Sequence, residues 1–181
     1  MKYNSFPFLC ITVITLSVAA CGSDSGETDN RAPETVVSNR IAADGIYSVI
    51  RTADTEAEAG VVSEGELLLI YDGRYTGDGS TDDTTWVVLD ARDPVPLLLE
   101  GTPDKRPDDR GHTLLSVTLQ KKQAAALEKF TERHLNERVA TLIDGEVVTM
   151  HRVRAVITGG RIQITRCTDN ACEVLYSKLM D

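Results

Sequence analysis

From Gly45 onward the chain alternates short apolar runs with polar, glycine-bearing breaks. Gly45–Arg51, Glu66–Tyr71, Thr85–Leu89 and Leu114–Leu119 each read as strands, because apolar residues concentrate there and turn formers bound them. Between the second and third, DGRYTGDGSTDDTT reads as a solvated hairpin loop. GTPDKRPDDRGH (101–112) reads as an exposed connection, because its prolines have no N–H to give to a ladder. The period then changes. In Gln120–Asn136, Ala124, Leu127, Phe130 and His134 or Leu135 fall on one helical stripe, with Lys121, Glu128, Lys129, Glu132 and Arg133 elsewhere. That stripe predicts a long helix laid on a sheet.

Period two returns in Val139–Ile143 and Glu146–Met150, joined by Asp144-Gly145, a pair suited to a type I′ hairpin turn. A further strand at Val153–Ile157 turns through Gly159-Gly160 into Arg161–Thr165, and a terminal helix runs from Asp169 to about Leu179. Strands without alternating helices predict an α+β fold, mainly an antiparallel β-sheet packed by one long helix and a C-terminal helix.

The first residues follow a different logic. MKYNSFPFLCITVITLSVAA has one basic residue, Lys2, then an apolar run from about Phe6 to Ala20, the form of an export signal. The run is shorter than the ~20 residues a spanning helix needs. Its ending, Val18-Ala19-Ala20-Cys21, resembles the lipobox of bacterial lipoproteins. That resemblance implies cleavage before Cys21 and a lipid on its sulfur; an ordinary secretory signal is the alternative. Acyl chains bury methylenes at ~0.8 kcal/mol each, so several together hold a protein at a membrane. Gly22, where an Asp would favour inner-membrane retention, leans the expectation toward the outer membrane. Residues 21–40 are polar and read as a tether, with a root-mean-square span of roughly 25 Å. Residues 41–181 are then left as a single folded domain.

Charge and cysteines narrow the classes. A formal net charge of −9, more negative once Lys2 departs, argues against nucleic acid and anionic headgroups as partners. With Cys10 lost and Cys21 lipidated, Cys167 and Cys172 remain in an oxidising compartment. If Thr168 caps the terminal helix, Cys167 stands before the cap and Cys172 at the fourth helical position, a pair that meets in a hydrophobic staple. A disulfide there contributes about 2 kcal/mol. Free core cysteines are the alternative; as a redox pair, CxxxxC lacks the spacing, and two cysteines make no zinc site.

Little in the sequence points to catalysis. His112, His134 and His151 fall in a loop, at a helix end and on a strand, with no H-x-x-x-H pair, nucleophile elbow or phosphate loop. Adjacent acids (Asp82-Asp83, Asp108-Asp109) read as solvated loop residues. The loop from Asp78 fails as a calcium site: its sixth position is not Gly, and Leu89 stands where a bidentate Glu belongs. No catalytic residue, metal or cofactor is expected. Arg138, Arg152, Arg154 and Arg161 form a locally basic strip, read as balanced surface charge or as a contact for an acidic client or partner.

Taken in order, residues 115–179 resemble the head subdomain of the first periplasmic domain of SecD and SecDF. The resemblance is carried by a strand and helix with a late Phe130-Thr131, then Leu142-Ile143-Asp144-Gly145, Val147 and Thr149. An extended link to Ile157-Thr158-Gly159-Gly160-Arg161, then Gln163-Ile164-Thr165 and a final amphipathic helix complete it. His151 stands where that family usually has proline, and Arg166-Cys167 follow Thr165 where it has glycine. The resemblance implies the fold and the holding of unfolded or extended polypeptide, in export or envelope quality control. It does not imply the family's proton-coupled pulling, since no second apolar segment here is long enough to span a membrane. A scaffold docking one folded envelope protein is the other expectation.

Overall fold

The computed structural model describes residues 42–75, 84–167 and 170–180. The chain divides into two units, Met1–Ser38 and Asn39–Asp181, and the described residues all belong to the second. The expected signal, Cys21 and the expected tether therefore lie outside the described residues. Chain order is β1 (Gly45–Ala53), α1 (Glu56–Ala59), β2 (Glu66–Tyr71), β3 (Thr85–Pro96), β4 (Asp104–Pro107), β5 (Thr113–Thr118), α2 (Lys121–Arg133), β6 (Arg138–Ile143), β7 (Glu146–Arg152), β8 (Arg161–Cys167) and α3 (Ala171–Lys178). The fold is α+β and antiparallel, in two sheets: five strands in the order β2-β3-β1-β6-β7, and three in the order β4-β5-β8.

Alternation along the strands builds two cores. Ile46, Val95, Ile143 and Val148 of the large sheet meet Leu115, Val117, Ile162 and Ile164 of the small one, joined by Leu127 and Phe130 of α2 and Leu175 of α3. On the large sheet's other face Tyr47, Val87, Leu89, Ala140, Leu142 and Val147 form the second core. Leu142 and Ile143, adjacent on β6, thus enter different cores, as period two requires. Phe130, 1% exposed, contributes on the order of 2–3 kcal/mol by burial.

Several expectations are corrected. β3 does not stop at Leu89 but runs to Pro96. The β1–β3 register slips between Ile46 and Ser48 and between Val49 and Arg51. Such bulges bend a strand pair, and here Val87 and Leu89 serve one core while Val95 serves the other. The connection 101–112 contains β4, which pairs Asp104–Pro107 with Ser116–Thr113. Proline is tolerated because β4 is an edge strand. Val153–Ile157 forms no strand, and its backbone bonds go elsewhere: Val153 N donates to Glu137 O (2.9 Å) and Ile157 N to Thr131 Oγ1 (3.0 Å). Thr131, 2% exposed, in turn donates to Leu127 O at 2.9 Å, so the late Phe-Thr of α2 fixes the extended link. β8 pairs with β5 and makes no hairpin with the link before it.

The Gly159-Gly160 turn is instead seated on α2. Gly160 has φ +71, and a Cβ built there would stand 2.5 Å from Ala124 Cβ. Its carbonyl accepts from Leu119 N at 2.9 Å. α3 starts at Ala171 with Asn170 as a cap that makes no side-chain bond; Thr168 and Asp169 lie outside the described residues. Cys167 and Cys172 are joined in a disulfide with a Cα–Cα distance of 5.6 Å. It ties the last residue of β8 to the second residue of α3, not to the fourth as in the expected staple.

Candidate functional site

β2 and β7 terminate the large sheet. Since every intervening ladder is antiparallel, the two run in the same direction. They approach within 8 Å between Cα atoms without forming a ladder. An open cleft of about 370 Å³ lies at this seam, lined by Leu68, Ile70, Trp86, Arg74, Tyr75 and Val147 among others. The sequence of β2, ELLLIY, is apolar on both faces. Leu67, Leu69 and Tyr71 pack on the second core, which leaves Leu68 and Ile70 for the opposite face. There Ile70 pairs in register with Trp86 and remains 47% exposed.

A polar clasp closes one end of the seam. Tyr75 Oη donates to Glu146 Oε2 at 2.6 Å, and Lys178 Nζ from α3 donates to the same oxygen at 3.0 Å. Lys178 also pairs with Asp144 at 3.0 Å, and Arg74 lies 3.7 Å from Glu146 while its Nε donates to Asp72 at 2.6 Å. The Tyr75 carbonyl accepts from Thr165 Oγ1 at 2.6 Å, which ties the clasp to the small sheet. The Tyr75 bond holds the Glu146 carboxyl below its ordinary range against partial burial, and Lys178 adds to this. Burial, then the Glu146 bond, pushes the Tyr75 phenol up. Desolvation pulls Lys178 down, but its bonds to Asp144 and Glu146 prevail and its pKa is raised. A carboxylate bonded and biased toward ionisation is suited to holding elements together, not to exchanging protons at neutral pH. The clasp joins residues far apart in the chain, and no local pattern announced it.

The expected motif residues fall as follows. Asp144 (φ +53) and Gly145 (φ +73) are both left-handed, as a type I′ turn requires, and Asp144 N donates to Asp44 Oδ1 at 2.7 Å. Gly159 and Gly160 (φ +73 and +71) lead into Arg161, which opens β8 and pairs with Asp104 at 2.9 Å. Arg161 thus belongs to the small sheet, apart from Arg138 and Arg152, which are register partners across β6 and β7. Arg154 follows β7, exposed. Val147 and Val153 are buried (3% and 6% exposed), so neither presents its side chain to a partner.

The histidines do not converge. His112 Nδ1 is 3.3 Å from Asp108 Oδ2, an oxygen that also pairs with Arg166. His134 caps α2, lies 4.5 Å from the Phe130 ring and meets Glu137 at 2.7 Å. His151 is exposed on β7. Asp108 caps its own turn through Arg110 N (2.8 Å) and His112 N (2.9 Å), while Asp82 and Asp83 lie outside the described residues. Among the described residues no three His, Cys, Asp or Glu side chains group as metal ligands, and no helix is long and apolar enough to cross a membrane.

Comparison with known proteins adds the following. Three solved SecDF structures are similar in shape: SecDF in a super-membrane-facing form (21% identity, TM-score 0.47, covering 77% of this chain and 18% of that one), a SecDF described as a membrane component that enhances protein export (19%, 0.43, 76% and 61%), and the translocon-associated SecDF of Thermus thermophilus (16%, 0.39, 76% and 29%). The chain therefore spans only 18% of the first of these. No curated protein matches it. Residues 102–175 match the family model of the SecDF P1 head subdomain, and the match takes in β4, which precedes residues 115–179. Over residues 102–175 the resemblance to the SecDF P1 head subdomain is thereby shown.

Proposed function

We propose that this chain is a lipoprotein anchored through Cys21, facing the periplasm at the outer membrane, whose folded unit binds extended polypeptide in the service of protein export without catalysing a reaction. The match of residues 102–175 supports a role related to protein export. The observation that carries the binding reading is β2. It is a terminal strand, apolar throughout its middle, with Ile70 47% exposed beside Trp86. Soluble proteins usually blunt such an edge with a central charge, a proline or a bulge, and β2 has none of these in its pairing with β3; β7 runs beside it within 8 Å but forms no ladder with it. An extended segment is recognised there by main-chain bonds, with every second side chain resting on Leu68, Ile70 and Trp86.

The test uses a photoreactive residue at Ile70, and in parallel at His151 on β7, in living cells. Many unfolded envelope proteins trapped at Ile70 support the reading, and Ile70→Lys should abolish that trapping while the melting temperature is kept. One stable adduct with a single folded protein would replace the reading with a docking scaffold. Cys21→Ser, expected to release the protein from the membrane fraction, tests the anchor separately.

A further inference from the structure

We infer that Arg138, Arg152 and Arg154 form a docking surface for acidic segments of extended polypeptide. The inference rests on the polypeptide-binding reading above and adds its charge preference. The first observation is a juxtaposition that the fold does not need. Arg138 and Arg152 face one another directly across β6 and β7, and like charges at that position destabilise a sheet. The second is the lack of compensation. Arg138 donates to Thr52 Oγ1 (3.0 Å) and Arg152 to the Asn136 carbonyl (2.6 Å), both neutral acceptors, and no bond or ion pair of the Arg154 side chain occurs among the described residues. Of the other arginines among the described residues, Arg51, Arg74, Arg92, Arg106, Arg133, Arg161 and Arg166 are each paired with a carboxylate, and Arg110 alone is not. Of the acids close in sequence, Glu137 is engaged by His134 at 2.7 Å, and Asp54 lies two residues beyond Thr52. Among the described residues, three exposed guanidinium groups without a carboxylate partner therefore gather on a chain whose net charge is −9.

Their chemistry and place select the partner. Guanidinium forks match carboxylates in planar, paired geometry, which ammonium groups do not. Arg152 stands near the end of β7 with Arg138 directly across from it on β6, so one carboxylate of an extended chain crossing that end of the sheet can meet both guanidinium groups at the same level. The patch also lies at the far end of β6 from where the chain enters the sheet. Gly45 pairs with Leu142, while Arg138 begins the strand, roughly 13 Å away at strand rise. On a chain of net charge −9, such a patch suits an acidic peptide better than an anionic headgroup layer, which would also meet the surrounding acids.

The experiment measures binding of two fluorescent unstructured peptides of one apolar pattern, one carrying Asp and Glu and the other Asn and Gln. They are titrated at 20 and 300 mM NaCl against the mature chain and against R138Q/R152Q/R154Q, with vesicles containing 30% phosphatidylglycerol as a further arm. The inference expects the acidic peptide to bind about tenfold more tightly at low salt, equivalent to ~1.4 kcal/mol. That preference should vanish at high salt and in the triple variant, while binding of the neutral peptide is unchanged. The variant's melting temperature should be unchanged or higher, because a repulsion is removed. Equal binding of both peptides overturns the inference and leaves the polypeptide-binding reading intact. Binding of neither overturns both. Loss of vesicle binding with peptide binding untouched makes the patch a lipid contact and also overturns it.

Discussion

Replacing Gly160 with alanine adds one methyl group where the turn before β8 meets α2. The new Cβ would stand 2.5 Å from Ala124 Cβ and 3.2 Å from its Cα, with Leu119 Cβ at an ordinary 3.5 Å. Two costs then add. A left-handed alanine loses ~1–2 kcal/mol to its own backbone, and forcing the turn off a packed helix costs ~1–3 kcal/mol. Gly159 separates them: its φ is +73, yet nothing lies within 4 Å of its built Cβ. Gly159→Ala should therefore carry only the backbone cost, and Gly160→Ala ~1–3 kcal/mol more. Ala124→Gly removes the obstructing methyl at a helix cost of ~1 kcal/mol. In that background the cost of Gly160→Ala should fall toward that of Gly159→Ala, with only the 3.2 Å approach to the residue-124 Cα left. Urea titrations followed by circular dichroism give the four free energies, and an unchanged slope keeps them comparable. Melting temperatures should follow at about 2–4 °C per kcal/mol for a chain of this length. If Gly160→Ala costs no more than Gly159→Ala, or if Ala124→Gly relieves nothing, the turn is not seated on α2 as described.

Reducing the Cys167–Cys172 disulfide opens a link of sequence separation 5, so the urea midpoint in dithiothreitol should drop by the equivalent of about 2 kcal/mol; an unchanged midpoint would refute its stabilising role. Glu146 has a lowered folded pKa, so its contribution is present above the ordinary carboxylate value of about 4.3 and is lost as acid protonates the folded state. The stability gap between wild type and Glu146→Gln should accordingly be widest near neutrality and close below about pH 4. Tyr75 and Lys178 have raised folded values, so their share holds below about pH 10 and disappears as pH climbs past the folded values. A gap that is constant from acid to neutral pH would show that the Glu146 carboxylate is not held ionised by the clasp.

Local patterns read well where one residue type dictates one geometry. Asp144-Gly145 needs two left-handed residues and has them, and the stripe of α2 buries Leu127 and Phe130. They misled where partners are distant. Val153–Ile157 alternates like a strand, but Thr131 and Glu137 take its amides first. Pro107 reads as a barrier to pairing, yet at the last residue of a short edge strand its missing N–H is harmless. The seam between β2 and β7 had no signature, because it arises only once β1 lies between β3 and β6. The arginine strip was half legible: strand periodicity puts Arg152 near Arg138, but which sheet Arg161 joins depends on β8 pairing with β5.

The central place of β1 also sets where the chain tolerates being cut. β6 and β7 fall inside the segment that resembles the SecDF P1 head, yet they sit in the sheet completed by β1, β2 and β3, which lie outside it. Excising residues 102–175 as a minimal piece would strip the Gly45–Ser48 ladder from β6 and leave Ile143 and Val148 without Ile46 and Val95. The unit of sequence kinship and the unit of cooperative folding are thus different stretches of this polypeptide, and a deletion series drawn along the first will return insoluble fragments.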